Sequence, residues 1–208
     1  MNHYAETVIC IDNSARMSSC IDAIKKSVLQ WSDTLLHVFE HSYISISKVY
    51  IKVITFTNNN KPIIKESRWF EISNKKGLEP EYLIAYINKI KCLDSDADDL
   101  SFEAIERAKK VDWTSEKASL KNVILFTNSI CNKRNLAQYI EGCSMNDDSP
   151  FSYKKRLVVF APEIYPWPEL YESLGNMIFC PFRGDLTSED IDLNLEGISF
   201  GMLDSIEF

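Results

Sequence analysis

Glycine is scarce in this chain, six in 208 residues, and the nearest two, Gly197 and Gly201, stand four apart. Neither the Gly-rich dinucleotide fingerprint nor the phosphate-cradling P-loop can be built from them. There are three histidines, His3, His37 and His41. The last two stand one helical turn apart without the glutamate of a zinc-protease helix, which leaves them as helix-end residues. The six cysteines, Cys10, Cys20, Cys92, Cys131, Cys143 and Cys180, form no CxxC pair. Zinc sites declare themselves by tight ligand spacing, so these read as structural thiols, with Cys10 and Cys180 inside apolar runs. No apolar run approaches the ~20 residues of a membrane span. No dense Lys/Arg run offsets the net charge of −7, which argues against broad nucleic-acid or anionic-lipid binding. The opening MNHYAETVICID lacks the basic and apolar regions of a signal peptide, and a cytoplasmic location is expected.

What is present is ordinary globular composition, 45% hydrophobic and 25% charged. Short apolar runs alternate with helical periodicity. Thr7 to Ile11, Val49 to Phe56, Val123 to Phe126, Leu157 to Phe160 and Met177 to Cys180 read as buried strands. The half-polar stretch from Ile63 to Ile72, after an Asn-Asn-Asn-Lys-Pro turn, reads as a hairpin partner at a sheet edge. Met17, Ile21, Ile24, Val28, Trp31, Leu35 and Val38 recur at steps of three and four, which predicts a long amphipathic helix. Further helices are expected near Glu79 to Lys91, Leu100 to Val111 and Lys133 to Ile140, with a short one ending at Leu174. A closing helix over about 187–206 is weakened by Gly197 and Gly201. Strands alternating with helices require right-handed crossovers. The expected fold is a doubly wound, Rossmann-like α/β domain over residues 1–208, with its core at about 6–182. Its sheet has six strands, mostly parallel with one antiparallel edge strand among them, and helices on both faces.

In such folds ligands bind beyond the carboxyl ends of the strands, at the switch point. The residues there are Asp12-Asn13-Ser14-Ala15-Arg16 after the first strand, the acidic loop DSDADD, and Thr127-Asn128-Ser129 after VILF. A serine nucleophile has no histidine partner here. What remains is a set of oxygen ligands of the kind a hard cation such as Mg²⁺ takes. Asp94, Asp96 and Asp98 stand at alternate positions like the start of a calcium loop. The pattern lacks its glycine, where Asp99 stands, and its twelfth position is Ile105. The stretch reads rather as a solvated helix-start loop, with Asp98 or Asp99 as the N-cap. Trp167 in the Pro-rich loop YPWP is either an exposed anchor for a partner or a ring folded back on the sheet. Trp69 and Phe182 are open to the same two readings.

ICIDNSARM, DADDLSFEAIERA and VILFTNSI, in that order, together with the long helix and the KVYIKVITFTNNNKPIIKESRWF hairpin, resemble the von Willebrand factor A (VWA) family. The resemblance runs from about Glu6 to Phe182. The hairpin phrase and short length look most like bacterial TerY-type proteins associated with tellurium resistance, and ICIDNSARM also resembles the VWA domain of the proteasome's ubiquitin-receptor subunit. The resemblance implies a metal-ion-dependent adhesion site. Asp12 and Ser14 match it. Arg16 stands where the second serine belongs, the threonine position maps to Asp98 or Asp99, and Asn128 replaces the distal aspartate.

A guanidinium has no lone pair to give a cation and repels it. It can instead pair with Asp12 and with Asp98 or Asp99. The resemblance therefore implies a degenerate site without metal, although Ser18 or Ser19 could stand in for the lost hydroxyl and admit Mg²⁺, Ca²⁺ or Mn²⁺. The function it implies is that of a non-enzymatic adaptor, with Arg16, Asn128 and Trp167 as candidate partner contacts. It would bind another protein, a kinase or phosphatase among the family's associations, and neither nucleic acid nor membrane. Two alternatives stay open: a metal-dependent phosphate-processing enzyme using Asp12, Asp98 and Asp99, and a Mg²⁺ site that captures a partner's carboxylate.

Overall fold

The computed structural model describes residues 3–40, 46–73, 77–95, 100–113, 119–128, 136–143, 155–175, 177–182 and 186–204. Its strands are β1 (His3–Asp12), β2 (Ile46–Asn58), β3 (Pro62–Glu66), β4 (Phe70–Glu71), β5 (Ser119–Phe126), β6 (Lys155–Pro162) and β7 (Met177–Phe182). Its helices are α1 (Ile21–Glu40), α2 (Glu79–Asn88), α3 (Leu100–Lys109), α4 (Leu136–Cys143), α5 (Trp167–Ser173) and α6 (Ser188–Asp204). The sheet runs in the order β3-β2-β1-β5-β6-β7, with β4 also on β2. β1, β2, β5, β6 and β7 are mutually parallel, while β3 and β4 return antiparallel along β2.

The alternation of side chains along β1 explains why Val8 to Ile11 are apolar without a break. Ile9 and Ile11 enter a core with α1, α2 and α6, whereas Val8 and Cys10 enter a second core with α3, α4 and α5. A strand covered on both faces has no polar side to offer. Cys10 and Cys180 are buried free thiols, as their apolar surroundings predicted. Burial pushes the Cys10 thiol far up, the Glu66 charge adding to it, and burial alone takes Cys180 to about 12.

Two elements depart from the sequence pattern. The edge stretch read as one strand breaks at Ser67, giving two short strands and seven in all. Ser67 exchanges backbone and side-chain bonds with Val53: its N–H donates to Val53 O at 2.8 Å and its Oγ accepts from Val53 N at 2.8 Å. A serine that satisfies the neighbouring strand with its side chain leaves no ladder position to continue. The first helix begins later than its periodicity indicated. Ala15–Met17 form a 3-10 turn, and α1 proper starts at Ile21. The closing helix runs through Gly197 because its buried residues Ile191, Leu195 and Ile198 pack into the α1 side of the core. Trp31 Nε1 of α1 donates to the buried Ser199 Oγ at 2.8 Å, fixing the two helices together. No helix among the described residues is long and apolar enough to cross a membrane.

Candidate functional site

The chain leaves β1 toward β2 on one side and later enters β5 on the other, so the switch point lies between the carboxyl ends of β1 and β5. Ile11 pairs with Phe126, and the residues that follow each, Asp12 and Thr127, leave the sheet side by side. Backbone bonds from Asn13 N to Phe56 O and from Thr127 N to Phe160 O, each 3.0 Å, hold both exits in place.

Asp12 is fully buried. Its Oδ1 accepts from Ser14 N at 2.9 Å, a turn that aspartate closes with its own side chain. Its Oδ2 accepts from Thr127 Oγ1 at 3.2 Å, and Thr127 Oγ1 lies 3.0 Å from Ser101 Oγ at the start of α3. With Asp12 ionised, Thr127 spends its one hydrogen on the carboxylate, so Ser101 is the donor to Thr127. The result is a buried relay, Ser101 to Thr127 to Asp12, spanning α3, β5 and β1. Burial raises the Asp12 carboxyl above its ordinary value, while the donors on Ser14, Thr127 and the Asn128 backbone pull it down. Ser14 Oγ is buried without a hydrogen-bond partner.

The rim outside this relay is laced to its neighbours. Asn128 Nδ2 donates to Arg16 O at 3.2 Å, joining the β5 exit to the 3-10 turn. Asn13 Nδ2 donates to Lys91 O at 3.1 Å, Leu93 N to Asn13 O at 2.8 Å, and Ala15 N to Ser95 O at 2.9 Å. Thr57 and Ser95 hydroxyls also meet. The segment leading into the acidic loop is thus stitched onto the first motif.

Asp12, Ser14, Arg16 and Asn128 therefore converge at one edge. Asp98 and Asp99 lie outside the described residues, as does Asp96. Asp12 accepts from Ser14 N and Thr127 Oγ1, and the expected pairing of Arg16 with Asp98 or Asp99 lies outside the described residues. Ser18 and Ser19 are exposed just past the 3-10 turn, and Ser19 Oγ contacts Cys20 Sγ at 3.6 Å. Ile105 is in the core, as befits a helix residue rather than a calcium ligand.

Trp167 is corrected from surface anchor to core residue. It is 0% exposed and stacks on Phe102 with ring centroids 5.5 Å apart and an interplanar angle of 14°. At the first position of α5 it faces the α3 and α4 side of the core, where an indole finds more apolar surface than water offers. Phe182 is buried, and Trp69 leans on Trp113 at 5.4 Å while its Nε1 donates to Asp112 Oδ1 at 3.1 Å.

Two relay members were not singled out by motif. Thr127 was visible only as one oxygen after VILF. Ser101 carried a signal of its own: it shares the stripe of Ala104, Ile105 and Ala108, so its hydroxyl must be buried and must find a polar partner.

Asp12 brings a buried carboxylate to this edge, each of its oxygens accepting a hydrogen bond, and the Asn128 amide donates to backbone.

No family model matches the chain, and no curated protein does. Solved structures do resemble it. A von Willebrand factor type A protein from Catenulispora acidiphila superposes with TM-score 0.65 at 13% identity, over 99% of this chain and 43% of the other. The conserved hypothetical protein BatB from Bacteroides thetaiotaomicron gives 0.61 at 11% identity, over 96% of this chain and 99% of its own. Proximal thread matrix protein 1 from the mussel byssus, with a zinc-occupied MIDAS motif, gives 0.59 at 11% identity, over 95% of this chain and 48% of the other. This chain has the VWA fold, and it spans less than half the length of the first and last of these structures.

Proposed function

We propose that this chain is a non-enzymatic protein–protein interaction module, a VWA-type adaptor whose carboxyl-edge loops dock another protein without a bound metal. The observation that carries this is the buried relay around Asp12. A carboxylate that is enclosed, and whose two oxygens accept from Ser14 N and Thr127 Oγ1, is committed to holding loops in shape. It is poorly placed to act as a general base on a substrate. Arg16 and Asn128, half-buried on the joined loops, are the residues offered to a partner. We infer further that the module is of the TerY-like kind, in a cytoplasmic stress or tellurite-resistance system, with a kinase or phosphatase as partner. That finer reading rests on the sequence resemblance alone.

A pull-down from the native host tests both levels. Capture of a kinase or phosphatase that survives EDTA is expected, together with no metal-dependent turnover of p-nitrophenyl phosphate by the purified chain. Turnover that requires Mn²⁺ or Mg²⁺ and disappears in Asp12→Asn would overturn the adaptor reading in favour of a phosphate-processing enzyme. Ser14 Oγ, buried and unpartnered, favours one second reading, in which a cation joins Asp12 and Ser14 to a partner's carboxylate. Loss of capture in EDTA would select it.

A further inference from the structure

A cleft of about 260 Å³ lies beside the carboxyl edge, between the β2–β3 hairpin and the end of α2. Its floor comes from cross-strand neighbours: Thr55 pairs with Lys65, and Ile63 stands two residues before Lys65 on the same face of β3. Its far wall is the last turn of α2 and the segment after it, with Lys89, Lys91 and Leu93. In a chain of net charge −7, three lysines therefore surround one depression. All three are exposed, and none makes an ion pair among the described residues. Five others, Lys25, Lys48, Lys52, Lys109 and Lys110, each meet a carboxylate, while Lys26 and Lys61 stand singly rather than in a group around a cleft.

Lys89 caps α2, where its charge offsets the partial negative end of the helix. Lys65 and Lys91 have no such use. The apolar part is equally unspent, because Leu93 is left 36% exposed at the mouth and Ile63 is only half-buried on the floor.

We propose that this cleft binds an acidic peptide segment, seating one aliphatic side chain against Ile63 and Leu93 with flanking carboxylates on Lys65 and Lys91. The volume decides for a peptide. It is below the ~300 Å³ at which pockets begin to enclose whole small molecules, but it suits a single side chain. Charge complementarity decides for acidic flanks. The site needs no contact with Ser14, Arg16 or Asn128, so it stands or falls apart from the adaptor reading. Its wall is nonetheless tied to the first motif through Asn13, whose Nδ2 holds Lys91 O and whose O holds Leu93 N.

The test is selection of a random eight-residue phage library on the full chain, followed by fluorescence anisotropy with the synthesised consensus. Enrichment of Asp and Glu around an aliphatic residue is expected. The consensus affinity should fall about tenfold in K65E/K91E, the size expected when two exposed pairs become repulsions. It should stay unchanged in K26E, a reversal on the outer face of α1, with both variants melting like the wild type. Selected peptides without acidic enrichment would overturn the proposal. So would equal affinity for wild type and K65E/K91E, or displacement by inorganic phosphate as effective as displacement by unlabelled peptide.

Discussion

Replacing Trp167 separates a core residue from a partner anchor. The indole is fully buried in the α3, α4 and α5 side of the core, stacked on Phe102, which in turn meets Tyr139 at a 3.9 Å centroid distance. Trp167→Ala removes that ring from a packed interior and leaves a cavity that these neighbours can only partly fill. Losses of this kind run to about 3–5 kcal/mol, or roughly 10 °C in melting temperature for a chain of this size. Trp167→Phe is the informative partner. Trp167 Nε1 is buried without an acceptor, and an orphaned donor costs on the order of 1–3 kcal/mol. Phenylalanine loses part of the ring contact but sheds that cost, so the two effects nearly cancel and the net change stays under about 1 kcal/mol. Equilibrium urea unfolding followed by far-ultraviolet circular dichroism measures both variants free of the changed fluorescence. An alanine variant within about 1 kcal/mol of wild type would refute the packing argument. A phenylalanine variant of full stability that no longer captures the partner would restore Trp167 as an anchor.

Ser199→Ala should cost about 1–3 kcal/mol in the same assay, because it strands the buried Trp31 Nε1 that now donates to Ser199 Oγ. Calorimetric titration of Arg16→Ser should show Mg²⁺ binding tightened about tenfold or more, since a fixed positive charge leaves the rim and a hydroxyl returns; an unchanged titration would count against electrostatic exclusion by Arg16. Asp112 offers a pH readout. Burial works to raise its carboxyl, but the hydrogen bond from Trp69 and the charge of Lys52 outweigh it and hold the group below its ordinary value. Its contribution to stability is therefore present above the unfolded carboxylate value and is lost as pH falls through the folded one. Trp69→Phe should move the Asp112 carboxyl back up in a ¹³C-detected titration.

The sheet was legible because its interior strands are apolar on both faces, and Val8 to Ile11 read alike whichever core each enters. The break at Ser67 was not. The serine that ends β3 does so through a bond to a strand fourteen residues earlier, and nothing in IIKESRWFEI marks it. The start of α1 misled for a related reason: Met17 keeps the helix phase but is buried from a 3-10 turn. At the site, Asp12 and Ser14 were legible as a motif, whereas the Thr127 bond to Asp12 was not, because spacing along the chain says nothing about which donors arrive from β5. Trp167 shows the same limit, since a Pro-rich phrase looks exposed until the ring it stacks on is known.

These failures share a cause that bears on how the rim works. Each decisive contact crosses between elements, and within the buried relay the crossing contacts are hydroxyls: Ser101 on α3 and Thr127 after β5. A serine or threonine bond is short and directional yet carries no charge, so it can lock loops without fixing the potential of the surface above. Among the described residues, the rim's charge then falls to Arg16, Asp94 and the neighbouring lysines. Such an arrangement separates the two demands on a docking surface. The buried relay sets its shape, and the exposed side chains set its preference. A Thr127→Val variant tests the separation. It keeps the volume, removes Asp12's side-chain donor and should cost about 1–3 kcal/mol. Partner affinity should fall with it, because the loops loosen, but the salt dependence of binding should not change. A changed salt slope at unchanged stability would mean that Thr127 touches the partner itself and that the relay is part of the surface.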